Sequence, residues 1–147
     1  MSLTLLDTNI VLRLLDRKAP EHTICNKAIE KLLHQNNTPC LAPQILIEFW
    51  VVATRPITVN GFGWSETQTS DATDHLCKLF PLLADTPAIF EAWRVLVKTG
   101  VRGKRAHDAR LVAFMQIHGI KEILTLNDAD FKNFPVTAIH PENFIQK

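Results

Sequence analysis

The sequence predicts an α/β fold: a three-layer α/β/α sandwich with a mostly parallel central sheet. A short apolar run, residues 3–6, and a central-strand pattern, residues 122–126, stop abruptly at polar residues, as strands buried on both faces do. Between them lie stretches with apolar residues at helical spacing, bounded by proline, glycine and capping residues. Strands alternating with helices imply a parallel sheet with helices on both faces.

The first strand, Leu3-Thr4-Leu5-Leu6, ends at Asp7, and a short helix is expected over residues 10–15. Ligands of such sheets bind beyond the carboxyl ends of the strands. That places Asp7, with Thr8 and Asn9, where chemistry happens. The alternative is that Asp7 or Thr8 only caps the helix. Pro20 suits the first turn of a second helix, in which Ile24, Ala28, Ile29, Leu32 and Leu33 form one inward stripe. Residues 36–39 end it, and residues 40–42 read as a very short strand.

Pro43 opens a helix that runs to about Thr54. Ile45, Leu46, Ile47, Phe49, Trp50, Val51, Val52 and Ala53 leave it almost no polar face, so it is expected in the core or in an interface. Glu48 falls on an apolar side, between Ile45, Val51 and Val52. A lone buried carboxylate is costly unless paired, protonated or bound to a metal; a salt bridge to Arg55 is the bland alternative. Asn60-Gly61 signals a turn. Phe62 and Trp64 beside it are suited to stacking on bases, to a dimer contact or to covering the core.

Ser65 and Gln68 make a capping box for a helix with Ala72, Leu76 and Leu79 inward. Residues 80–84 read as an edge strand because of Pro81. Asp85 or Thr86 caps the next helix, whose inward stripe is Ile89, Phe90, Trp93, Leu96 and Val97. A basic, glycine-broken loop (101–106) leads to His107-Asp108 and a helix with Leu111, Val112, Phe114 and Met115 inward. The run 122–126 is a central strand, residues 136–139 a last short one, and the tail is polar.

The 147 residues suit one domain, 1–147. Hydrophobic residues at 46% and charged residues at 21% are an ordinary globular balance, and no apolar run approaches the ~18 residues of a membrane span. The three cysteines form no C-x-x-C pair, and no secretory signal is recognised. The expectation is a cytoplasmic protein with no membrane role. Net charge is only +1, but Arg94, Lys98, Arg102, Lys104, Arg105 and Arg110 stand against the single acid Asp108 in residues 94–110. Such a patch can hold phosphates, although a solvated surface is the plain alternative.

Asp7, Asp108, Asn127, Asp128 and Asp130 follow strand ends or start helices, and Glu48 lies on an apolar helix. In a parallel sheet these positions share one edge. Clustered carboxylates repel, and a divalent cation relieves them. Oxygen-only ligands suit Mg²⁺ or Mn²⁺ rather than zinc. Beside basic side chains, such a site suits phosphodiester hydrolysis. The six histidines show no H-E-x-x-H, and there is neither a G-x-S-x-G elbow nor a P-loop.

Leu5-Leu6-Asp7-Thr8-Asn9-Ile10, Glu48 after a Pro-opened helix, the motif at 105–111 (Arg-Ala-His-Asp-Ala-Arg-Leu) and Thr125-Leu126-Asn127-Asp128-Ala129-Asp130-Phe131 together resemble the PIN-domain ribonucleases, most of all the VapC toxins. The resemblance runs from about Leu3 to Phe131. It implies a PIN-like sheet between helices and a metal-dependent endoribonuclease, the toxin of a toxin–antitoxin pair. Asp7, Glu48 and Asp108 match the family's first three acids, as catalytic residues and ligands of Mg²⁺ or Mn²⁺. The family often has its fourth acid where Asn127 stands; Asp130 and Asp128 are the candidates to supply that charge. Thr8, Asn9, Thr125, Asn127 and Asp128 would support the site. Arg102, Lys104, Arg105 and His107 would contact RNA. A homodimer and an inhibitory antitoxin partner are also implied. The competing expectations are a catalytically weak PIN-like module that binds RNA or protein, and a phosphohydrolase acting on small phosphate esters.

Overall fold

The computed structural model describes residues 2–147. Its sheet has four strands, all parallel: β1 (Ser2–Leu6), β2 (Asn37–Cys40), β3 (Glu122–Leu124) and β4 (Thr137–Ile139), in the order β2-β1-β3-β4. Helices flank it: α1 (Thr8–Leu15), α2 (His22–His34), α3 (Pro43–Thr54), α4 (Glu66–Leu79), α5 (Pro87–Val97), α6 (Arg105–His118) and α7 (Pro141–Ile145).

The strand order matters for function. From β1 the chain moves outward to β2; from β3 it moves the opposite way to β4. Connections that diverge from adjacent strands leave a crevice at their carboxyl ends, where ligands of open α/β sheets bind. Leu6 is the register partner of Leu124, and the Asp7 N–H donates to the Leu124 carbonyl at 3.0 Å. Asp7 and Thr125 therefore open onto that crevice from neighbouring strands.

The apolar runs at the strand centres are fully buried at Leu5, Leu6, Ile123 and Leu124. They join Ile10, Val11, Phe49, Phe114 and Met115 in one hydrophobic cluster. Phe62 and Trp64 pack against the same cluster, with Trp64 edge-on to Phe49 at 6.3 Å, so this loop covers the core. Asn60 adopts φ +64°, and a Cβ on Gly61 would come within 1.9 Å of the Arg55 carbonyl oxygen. The glycine is thus required by a close backbone approach.

Several expectations are corrected. The second strand is Asn37–Cys40 rather than 40–42; it tolerates Pro39 because β2 is an edge strand. Residues 80–84 form no strand: Leu82 makes one isolated bridge to Leu41. The second helix starts at His22, after Pro20. The polar tail contains α7, which has Pro141 at its start and a His140 side chain accepting from the Glu142 N–H. Leu33, Leu79 and Phe90 are exposed rather than inward. The capping box of Ser65 and Gln68 is present as expected. All three cysteines are free, and burial pushes the Cys25 thiol up to about 11 and that of Cys40 up to about 12. No helix is long and apolar enough to cross a membrane among the described residues.

Candidate active site

Asp7 caps α1 and faces the crevice at once. One carboxylate oxygen accepts the Thr8 N–H at 2.8 Å; the other accepts the Thr125 hydroxyl at 2.7 Å. Capping therefore does not exclude Asp7 from a role in the site, and Thr8 is not the cap. The Asn9 amide lies 3.4 Å from the same Asp7 oxygen and 3.3 Å from Thr125 Oγ1, while its carbonyl accepts the Leu126 N–H at 3.0 Å. Asn9 thereby fastens α1 to the end of β3. Asn127 is exposed, and its N–H donates to Thr125 Oγ1 at 3.0 Å.

The Thr8 hydroxyl, released from capping, donates to Glu48 Oε2 at 2.7 Å. The Gln44 amide donates to Glu48 Oε1 at 2.9 Å. Glu48 is thus held by two neutral donors, and no Glu48–Arg55 salt bridge forms among the described residues. Gln44 is a residue that sequence reasoning missed. It is 93% buried, and its amide group also donates to the His107 carbonyl at 3.0 Å, while its oxygen accepts from Arg110 at 3.1 Å. Arg110 in turn pairs with Asp85 at 3.0 Å. The available signal was spacing: a glutamine four residues before Glu48 shares its helix face.

Asp108 sits in the first turn of α6. Burial, then the charges of Asp130, Asp7 and Glu48, raise its carboxyl to about 6; Arg105 opposes them. Asp7 is raised too, first by burial, against the hydrogen bonds from Thr125 and Thr8, with repulsion from Glu48 and Asp130 adding to it. These four acids thus share one field. Asp130, in a short 3-10 turn after β3, is the largest charge acting on Asp108. It brings charge to the site where Asn127 has none. Asp128 does not join them; it lines a separate cleft with Thr137, Ile139 and His140.

The basic residues divide. Arg102 and Lys104 are exposed. Arg105 lies over the Phe134 ring at 5.0 Å and also faces Asp108 electrostatically, so it is tied to the site's edge. The His107 side chain is exposed and lines a cleft between α5 and α6.

The donor set is oxygen-only and electrostatically frustrated, which fits a hard divalent cation. No three of these side chains are already gathered around one point among the described residues. Mg²⁺ suits that arrangement, since it keeps several waters and takes one or two carboxylates. A prediction follows from the raised acids. An acid raised in the native state takes up protons more readily than in the unfolded chain. Its stability contribution is therefore complete below about 4 and is lost as pH rises through about 6. The metal-free protein should lose stability across that window relative to Asp108→Asn. Mg²⁺, which competes with the proton, should raise Tm more at pH 7.5 than at pH 5. A Mg²⁺ effect independent of pH in a thermal melt would argue against these acids as ligands.

Comparison with known proteins agrees with this architecture. The PIN domain family's sequence model matches residues 4–136. Ribonuclease VapC24 of Mycobacterium tuberculosis is 24% identical over 135 residues, covering 91% of this chain and 92% of that protein. Among solved structures, VapBC-1 from nontypeable Haemophilus influenzae superposes with a TM-score of 0.68 at 18% identity, covering 95% of this chain and 98% of the other. VapBC2 from Rickettsia felis, bound to a promoter DNA fragment, gives 0.67 at 15%, covering 93% and 97%. Mycobacterium tuberculosis VapC20, described as a sarcin-ricin loop cleaving toxin, gives 0.58 at 18%, covering 83% and 87%. At these identities the structural likenesses establish a common fold.

Proposed function

Because this chain belongs to the PIN domain family, we propose that it is a metal-dependent endoribonuclease, the toxin of a toxin–antitoxin pair, acting on RNA in the cytoplasm. The observation that carries this reading is the common electrostatic field of Asp7, Glu48, Asp108 and Asp130 at the β1–β3 crevice, where burial first, and then neighbouring carboxylates, raise Asp7 and Asp108. Asp7 and Asp108 would hold Mg²⁺ or Mn²⁺, with Glu48 and Asp130 beside them. When bound, the cation supplies a more acidic water and positive charge for the developing charge on the phosphate. Thr125, Asn9 and the Thr8 N–H fix the Asp7 carboxylate. Glu48, clamped between Thr8 and Gln44, orients the attacking water and takes its proton. Arg102 and Lys104 meet the RNA backbone, whose phosphates give sequence-independent affinity.

Purified protein should cut structured RNA with Mg²⁺ or Mn²⁺ and stop with EDTA. The second reading, a binding module without turnover, draws on Asn127 at the family's fourth acidic position. Equal RNA binding with and without EDTA, and no cleavage of any cellular RNA, would favour it. The toxin step predicts that expression alone arrests growth and that the neighbouring antitoxin gene restores it. Harmless expression of an active nuclease would remove that step.

The partner surfaces belong to the same proposal. The toxin-antitoxin complex from Klebsiella pneumoniae and the VapBC structures among the structural neighbours support an antitoxin partner. On α3, Ile47 is 64% exposed, Val51 54% and Trp50 37%. An apolar helix face this open suits a homodimer contact. Ile47→Asp with Val51→Asp should shift the protein to monomer in sedimentation; an unchanged sedimentation coefficient would exclude this face.

A further inference from the structure

We propose that the cleft between α5 and α6 is a nucleobase site, which takes one unstacked base of the RNA next to the cleaved phosphodiester. The inference rests on the ribonuclease reading and extends it to substrate selection. The cleft has a volume of about 380 Å³ and is lined by Ile89, Phe90, Trp93, His107 and Arg110, among others. Small-molecule sites commonly span roughly 300–1,000 Å³.

Its chemistry suits a flat heterocycle. Phe90 and Trp93 stack on each other, with ring centroids 5.7 Å apart and planes at 26°. Phe90 is nevertheless 58% exposed, an uncovered aromatic beside a cavity. The Trp93 indole N–H is committed to the Ala106 carbonyl at 2.8 Å, which fixes the ring and leaves its π surface as what it offers. Arg110 is oriented by Gln44 and Asp85, so it presents a prearranged guanidinium. The His107 ring is exposed and takes no hydrogen-bond partner among the described residues, leaving its nitrogens for a base edge. Bases splayed from RNA are read by such a combination of aromatic faces, guanidinium planes and edge hydrogen bonds.

Position and charge select RNA as the occupant. One side chain, Gln44, joins the two regions: its amide reaches Glu48 on one side, and the His107 carbonyl and Arg110 on the other. A ligand in the cleft is therefore one hydrogen-bonded residue away from the acids. The loop entering α6 exposes Arg102 and Lys104, which complement a polyanion passing from the crevice to the cleft.

The test uses adenosine 5′-monophosphate and ribose 5-phosphate as probes, titrated into the metal-free protein and followed by ¹H–¹⁵N NMR. Adenosine 5′-monophosphate should move the Trp93 indole N–H and the Ile89 amide; ribose 5-phosphate should not. Phe90→Ala, a change at an exposed position, should remove the response. It should also raise KM for RNA cleavage about tenfold, the scale of one lost base–aromatic stack, and more than it lowers kcat. That penalty should vanish on RNA with an abasic residue beside the cleavage position. Equal shifts with both probes would reduce the cleft to an anion site and overturn the proposal. So would Phe90→Ala cleaving RNA normally while losing affinity for the antitoxin, which would make the cleft a protein-docking surface. A protein that cuts no RNA but shows the adenosine-specific shift would keep the base site and remove the ribonuclease reading.

Discussion

Asp7→Asn is expected to lower RNA cleavage by about 10³-fold or more and to leave the metal-free protein folded. The substitution removes a charge from the carboxyl end of β1, where Asp7 is only 8% exposed. A cation that stabilises transition-state charge is worth several kcal/mol, at about 1.4 kcal/mol per factor of ten in rate. Loss of a direct ligand should forfeit most of that. The effect on folding runs the other way. Burial raises the Asp7 carboxyl above its ordinary value, so the charged form opposes folding at neutral pH and a neutral amide relieves it. One hydrogen bond, from the Thr8 N–H or from the Thr125 hydroxyl, is lost in exchange, since an amide has a single acceptor oxygen. The metal-free variant should therefore melt close to the wild type, and Mg²⁺ should no longer raise its Tm. Asp108→Asn should behave alike in activity. A variant with full activity, or one that loses activity only by unfolding, would remove Asp7 from the metal site.

Gln44→Leu should cost about 2–3 kcal/mol of stability and about 10–100-fold in activity. Leucine keeps the volume but cannot hydrogen-bond. Glu48 Oε1, the His107 carbonyl and one Arg110 nitrogen each lose a partner in a largely buried place. Leaving such a group unsatisfied costs about 1–3 kcal/mol, and water reaching the more exposed groups limits the total. The activity loss has a separate cause. Gln44 ties α3 to the first turn of α6, and so sets Glu48 against Asp108. Partners that orient metal ligands are typically worth 10–100-fold in affinity or activity. Urea unfolding and steady-state cleavage measure the two effects independently. Unchanged kcat/KM in a destabilised variant would make Gln44 a packing residue only.

The parts of this structure that were legible in the sequence are those fixed by local chemistry. Leu3 to Leu6 ending at Asp7 showed a buried strand and where it stops, because an apolar run bounded by a polar residue marks the end of a strand buried on both faces. Pro43 and the Ser65–Gln68 capping box placed helix starts almost to the residue. Glu48 stood out because an acid on an apolar helix face needs a partner. What stayed hidden depended on neighbours distant in sequence. Helical periodicity showed that Leu33, Leu79 and Phe90 share apolar faces with their neighbours, but not that nothing among the described residues covers them. Residues 36–39 read as a helix end; that 37–40 pair as a strand emerges only from the sheet order, which puts β2 and its Pro39 at an edge. Gln44 follows a helix-opening proline and looked ordinary; its role arises only when α6 packs across it. Asp128 and Asp130 were indistinguishable by spacing, and the 3-10 turn after β3 sends them to different surfaces.

The most direct test of the central claim, hydrolysis by a carboxylate-held divalent cation, is the chemistry of the RNA ends. Purified wild-type protein and Asp7→Asn are incubated with total RNA in Mn²⁺ or EDTA, and the termini are mapped. Attack by water at the phosphate leaves linear phosphate and hydroxyl ends, formed only by the wild type and only with the metal. Fragments with 2′,3′-cyclic phosphate, or equal cleavage in EDTA or by Asp7→Asn, would contradict it.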